Sequence, residues 1–398
     1  MFEDLPYEHP LIWGTGGGND IVSATLVLAD VCRAGKTADL AGMCSPGAWH
    51  TYDGKPEDCV NRVTAGTRRF IPSRNLLEKS FVDHKVPELL SCQGFQSKVY
   101  NFSSRFGTQR LVDDVTTLIR KENYDGIIAV DVGGDILARG NQDPTILSPL
   151  MDFTTLYVLS QLNIPSTLVE FGLQTDGELR PQGCAEILDE LQSTGVLTST
   201  RTLLLDDPAV HVFRSVYDGI KDIRHGHTAH MTLQTLTATD DIHTHYHTRV
   251  QAMDKKWHVS FPLTLEKKYF GQMFLIDAQR LAASRPLAFP YKTPLEQCVK
   301  SKLIVNTSSE MDGLYASVED SCVWVALYPQ TVAGDLRKEV LAYGFSRLED
   351  FANAALVWKE DEALIPFSVR RQTVGPFTVA GTHKIEQVVI ELDRILAV

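Results

Sequence analysis

Five carboxylates in three Gly-rich turns are the residues best able to do chemistry. They are Asp20 in Gly14-Thr-Gly-Gly-Gly-Asn-Asp20, Asp131 and Asp135 in Asp131-Val-Gly-Gly-Asp135, and Asp176 and Glu178 in Thr175-Asp-Gly-Glu178. If these turns meet, like charges cannot all stay ionised unaided, and a proton or a cation must neutralise part of the charge. Two ligand chemistries satisfy such a site. A hard divalent cation, Mg²⁺ or Mn²⁺, takes Asp oxygens and completes its shell with water or a substrate phosphate. A substrate ammonium or guanidinium group is the other solution. Taken singly, each Asp can instead cap its own turn or helix.

On this reading Asp20, Asp131, Asp176 and Glu178 are the candidate catalytic residues, with Glu178 or Asp20 as general base. Asp131 and Asp135 are the candidate metal ligands. Consecutive glycines let backbone amides approach a ligand, so Gly16, Gly17, Gly18 and Asn19, with Gly133 and Gly134, are candidate binding positions. Ser148 and Asp152, at the start of a helical stretch, complete that set, and Ser148 can equally be a helix cap. The first turn departs from the dinucleotide fingerprint, which wants its third Gly where Asn19 stands. The chain has no Walker lysine after that turn, no Gly-x-Ser-x-Gly elbow and no His-Glu-x-x-His.

Six of the twelve histidines lie between 225 and 247: His225, His227, His230, His243, His245 and His247. In an extended strand His243, His245 and His247 share one face. That spacing can bind a transition metal, zinc included, or can form a solvated or cross-strand-paired surface. Zinc is the lesser expectation, because no Cys joins them at useful spacing.

Each acidic turn follows an apolar run: Pro10-Leu-Ile-Trp13, Gly126-Ile-Ile-Ala-Val130 and Thr167-Leu-Val-Glu-Phe171. Buried strands that end in Gly-rich turns opening helices are the pattern of an α/β sheet, which binds ligands at the carboxyl ends of its strands. Helical spacing is expected over 19–33, 111–121, 149–162 and 184–191, and further strands over 38–43 and 99–102. The alternation to about 195 argues for parallel βαβ units. Residues 45–95 read as long connecting segments. Residues 228–239 and 242–250 read as paired extended segments around Asp240-Asp241. Beyond 300, 303–306 and 322–327 read as strands and 338–351 as a helix. The expected organisation is a Rossmann-like α/β core, a mostly parallel sheet flanked by helices, over 1–295, with an α+β extension over 296–398.

At 398 residues, 43% apolar and 22% charged, the chain can bury a large core. A net charge of −12 with no basic stripe argues against a nucleic-acid partner. No apolar run reaches the roughly 18 residues of a membrane span, and the acidic start is unlike a secretory signal. Seven scattered cysteines, an odd count, fit reduced thiols and a cytoplasmic location.

The motifs Gly14-Thr-Gly-Gly-Gly-Asn-Asp20-Ile-Val-Ser, Val130-Asp-Val-Gly-Gly-Asp-Ile-Leu-Ala-Arg-Gly140, Ser148-Pro-Leu-x-Asp152 and Thr175-Asp-Gly-Glu-Leu179 together resemble a family of uncharacterised proteins, domain of unknown function eleven-fifty-two. The resemblance covers roughly 10–195, and more weakly to about 285. It implies a Rossmann-like core and the location of the site, and supplies no reaction. The residues themselves point to an enzyme of a small polar metabolite, by metal-assisted hydrolysis or group transfer. A non-catalytic nucleotide or metabolite sensor and a dinucleotide-dependent oxidoreductase stay open as alternatives, as does a homo-oligomer.

Overall fold

The computed structural model describes residues 2–17, 20–44, 49–51, 59–64, 67–71, 76–78, 82–104, 107–139, 143, 146, 150–223, 226–252, 255–285, 288 and 290. Beyond these it describes only the strands 326–327, 340–343, 355–358, 371–374 and 377–380. Five parallel strands form the centre of an eight-stranded sheet: β1 (Pro10–Gly17), β2 (Asp39–Cys44), β4 (Val99–Ser103), β5 (Gly126–Val132) and β6 (Ser166–Phe171), with β3 (Val60–Arg62) antiparallel on the edge beside β4. The parallel strands stand in the order β4-β2-β1-β5-β6, so the chain leaves β1 in one direction, returns, and continues in the other. That is the doubly wound, Rossmann-like order, and its reversal point lies between β1 and β5.

Both faces of the sheet are covered, which is why its central strands are buried along their length and carry apolar residues on both faces rather than alternating. Ile12, Ile128, Val130 and Val169 face a layer containing α1 (Asp20–Arg33) and α6 (Pro208–Ile220). Leu11, Trp13, Ile127, Ala129 and Leu168 face α3 (Thr108–Glu122), α4 (Leu150–Gln161), α5 (Pro181–Ser193) and α8 (Ala278–Ser284). α1 lies between the sheet and α6, and is apolar nearly all round for that reason. α4 packs on β1, α3 and α8. No described helix is long and apolar enough to cross a membrane.

Beyond 195 the structure corrects the sequence expectation in several places. Two strands, β7 (Leu197–Thr202) and β10 (Gln272–Asp277), add an antiparallel edge to the core sheet next to β6. Residues 228–239 are not extended: α7 (His227–Thr235) is a helix that buries Ala229 and Leu233 against the core and Met231 against Leu263 and Leu265. The strand β8 (Ile242–Ala252) pairs instead with β9 (Lys255–Leu265) as a long hairpin. In 338–351, the described residues Val340–Tyr343 are a strand between Ala326–Leu327 and Ala355–Trp358, within a five-stranded antiparallel sheet. Cross-strand partners supply the backbone bonds a helix would have made within itself. The segment 45–95 also holds α2 (Val86–Cys92) and a small three-stranded sheet. The expected strand 303–306 and the boundary near 295 lie outside the described residues.

Candidate functional site

The reversal point between β1 and β5 carries the acidic residues. Thr15 near the end of β1, Asp131 near the end of β5 and Glu170 near the end of β6 all lie on the face covered by α4. Asp20 opens α1 and Asp152 lies in the first turn of α4. Asp20, Asp131 and Asp152 each present a carboxylate oxygen, and the three oxygens lie within 4.8 Å of one another. Asp131 and Asp152 are buried and Asp20 is half-buried, so the triad opens to solvent on the Asp20 side.

Thr15 and Gly16 position this triad. The Thr15 hydroxyl donates to Asp152 Oδ1 (2.7 Å) and lies 3.3 Å from Asp131 Oδ1. Its own carbonyl accepts from the Thr155 hydroxyl (2.9 Å), tying the end of β1 to α4. The Gly16 amide donates to Asp20 Oδ2 (2.7 Å), and the Gly134 amide to Asp131 Oδ2 (3.2 Å). A Cβ at 16 would lie 2.4 Å from Asp20 Oδ2 and 3.1 Å from both Asp152 oxygens, so only glycine leaves the triad undisturbed. At 4.8 Å two unit charges repel by about 3–4 kcal/mol at an effective dielectric of about 20, less where Asp20 meets solvent. Three such charges on hard oxygen donors can hold a metal ion.

A second group of carboxyls adjoins the first. Burial, then the charges of Asp152 and Asp131, pushes the Asp135 carboxyl well above the ordinary carboxylate range. Burial and the neighbouring Asp131 and Asp176 do the same to Glu170. Asp176 rises through burial and Glu178, opposed by the Glu178 amide, which donates to Asp176 Oδ1 (3.0 Å). The loop that carries Asp176 is tightly held. Gln174 donates its amide to the Gly133 carbonyl (2.7 Å) at a left-handed φ of 73°, and the Thr175 and Thr232 hydroxyls meet at 2.9 Å. Gly133, at φ 125°, leaves no room for a side chain, since a Cβ would lie 2.5 Å from that of Asp176.

The convergence expected from the sequence is therefore present for Asp20, Asp131, Asp135, Asp176 and Glu178. The three oxygens that approach one another belong to Asp131, Asp20 and Asp152, while Asp135 adjoins Asp152 and Asp131 on one side and Asp176 and Glu178 on the other. Thr15 and Glu170 were not singled out in the sequence. The only signal for Glu170 is a carboxylate inside an otherwise apolar strand. Asp143, in the Asn141-Gln-Asp143 stretch, is engaged by Arg139, whose Nη2 lies 2.8 Å from it. Gly18, Asn19 and Ser148 lie outside the described residues, and Gly17 is exposed. His243 and His245 are exposed on the β8–β9 hairpin, with His243 Nδ1 3.1 Å from Thr264 Oγ1. The His247 side chain is outside the described residues.

Residues 11–221 match the family described as "Protein of unknown function (DUF1152)". The chain belongs to this family. No curated protein matches the chain. Among solved structures, a deacetylase triple mutant from the teicoplanin biosynthetic pathway is similar at 10% identity and a TM-score of 0.27, over 56% of this chain and 89% of that one. A likeness of that size transfers neither fold nor activity. For this DUF1152 protein the reading of function rests on the site itself.

Proposed function

We propose that the chain is an enzyme of a small polar metabolite, acting by hydrolysis or group transfer with a divalent cation held by Asp20, Asp131 and Asp152. The observation that carries this reading is the approach of three carboxylate oxygens to within 4.8 Å at the strand-order reversal of a doubly wound sheet. All-oxygen donors favour Mg²⁺ or Mn²⁺ over zinc. Such a cation, when bound, supplies charge for a substrate oxygen and a more acidic water.

The chain's own residues would do the rest. Thr15 orients Asp152, and the Gly16 amide orients Asp20. Asp20, the half-buried member, is placed to accept a proton at the mouth of the site, and Glu178 is the alternative base farther in. Hydride transfer to a dinucleotide fits less well, because this many carboxylates repel a bare pyrophosphate.

The test is titration of purified protein with Mg²⁺ and Mn²⁺ by calorimetry, followed by a turnover screen against phosphorylated and amine-bearing metabolites. Asp131→Asn keeps the shape and removes one charge. It should lose cation binding and any turnover while keeping the wild-type fold by circular dichroism. Cation affinity unchanged in Asp131→Asn would remove the triad from the site. Stabilisation by a metabolite without turnover would instead favour a sensor.

A further inference from the structure

Glu170 is fully buried, and neither of its carboxyl oxygens has a hydrogen-bond partner. Asp131 stands opposite it on the adjacent strand β5, where only a proton held by Glu170 could join the two carboxyls. The nearby Gly133 amide donates to the Phe171 carbonyl (3.3 Å). Asp176, about nine-tenths buried, has one oxygen fixed by the Glu178 amide, while its Oδ2 is also without a partner. Glu170 feels the charge of Asp176, and both feel Asp131. Three orphaned acceptor oxygens thus border the metal triad on its buried side. A buried acceptor left unmade bears its full desolvation penalty, so native proteins rarely leave several together.

What satisfies several clustered carboxyl oxygens, and lets them ionise, is a group with several N–H donors and a positive charge. A second divalent cation fits less well. Among the described residues only Asp20, Asp131 and Asp152 bring three ligand oxygens within 4.8 Å of one another. We propose that Glu170 and Asp176 form a subsite for a protonated nitrogen of the substrate, an ammonium or guanidinium group. The substrate of the triad is then an amine- or guanidine-bearing metabolite, whose cationic end lies inward beside Glu170 and whose reacting end faces Asp20. This assignment rests on the triad being the reaction centre proposed above. It also accounts for the tight loop around Asp176. Gly133 lets the backbone lie close against that side chain and the Glu178 amide holds one oxygen, so the other oxygen keeps a fixed direction.

The test compares isosteric probes on the full chain in saturating Mg²⁺ at constant ionic strength. Methylguanidinium chloride is set against methylurea, and ethylammonium chloride against ethanol, by ligand-observed NMR and thermal shift. The cationic member of each pair should bind and the neutral member should not. Glu170→Gln and Asp176→Asn should each weaken the cationic probe by about tenfold or more, as expected for loss of a charged hydrogen bond. Should Glu170→Gln fail to fold, Asp176→Asn in the adjoining loop gives the same reading. Equal binding of neutral and cationic probes, or cationic binding untouched by both substitutions, would overturn the subsite. So would a stoichiometry of two metals per chain that falls to one in Glu170→Gln. Titration with Mg²⁺ and Mn²⁺ alone separates the two readings. Probe binding without metal binding retires the triad and keeps the subsite, and metal binding without charge-selective probe binding does the reverse.

Discussion

Replacing Gly16 with alanine perturbs the triad without touching a carboxylate. The new Cβ would sit 2.4 Å from Asp20 Oδ2, closer than the 3.0 Å below which real Cβ atoms essentially never approach, so that oxygen must retreat by about 0.6 Å or more. Both Asp152 oxygens, at 3.1 Å, must yield by a few tenths of an ångström. The atoms in the way are ends of side chains, so the fold absorbs the change. Mg²⁺ does not, because it demands near-ideal octahedral geometry at about 2.0–2.1 Å. Disturbed ligand orientation of this kind costs about 10–100-fold in metal affinity, or about 1.4–2.7 kcal/mol. Calorimetric titration with Mg²⁺ and Mn²⁺ reads the affinity, and metal-induced stabilisation in a thermal scan should fall by a matching amount. Gly14→Ala is the contrasting case. Its Cβ would meet the backbone of Asp20 and Ile21 at 2.6 Å, rigid atoms at the start of a buried helix. It should destabilise the metal-free protein by about 1–3 kcal/mol, as overpacking does. Wild-type metal affinity in Gly16→Ala would refute the triad, and equal unfolding of the two variants would refute the distinction between side-chain and backbone contacts.

Further outcomes follow from the same geometry. Thr15→Val removes the donor to Asp152 Oδ1 in a fully buried position; it should cost about 1–3 kcal/mol of stability and weaken the metal about tenfold. The raised carboxyls of Asp135, Glu170 and Asp176 set a pH dependence. Their folded-state pKa values lie above the unfolded ones, so their contribution is complete below the ordinary carboxylate range and is lost as pH rises through the raised values. Melting temperature of metal-free protein should therefore fall across that window, with a shallower fall in Glu170→Gln; an identical profile in that variant would remove Glu170 from the account. Metal analysis of purified protein should show zinc well below one equivalent, and a full equivalent lost in His243→Ala would restore the hairpin histidines as a site.

The sequence by itself determined the centre of this protein. An apolar run that ends in a Gly-rich acidic turn and a helix start is a local signal, because strand burial, turn chemistry and helix opening are each set within about ten residues. Pro10 to Asp20 and Gly126 to Asp135 could be read in that way, and so could the carboxyl-end position of Asp20 and Asp131. Asp152 was legible as a binding position at a helix start, but not as a partner of Asp131. Its meeting with Asp131 depends on the Thr15 hydroxyl and on α4 packing over β1, contacts more than 100 residues apart in the chain. Tertiary structure alone decided that β7 and β10 join the sheet antiparallel, that 227–235 is helical under the pull of its core contacts, and that Glu170 inside an apolar strand turns toward the acidic site. Sequence fixes which face a residue takes within its own element. Only the pairing of distant elements brings such faces together, because nothing in a local window records which strand will lie beside it.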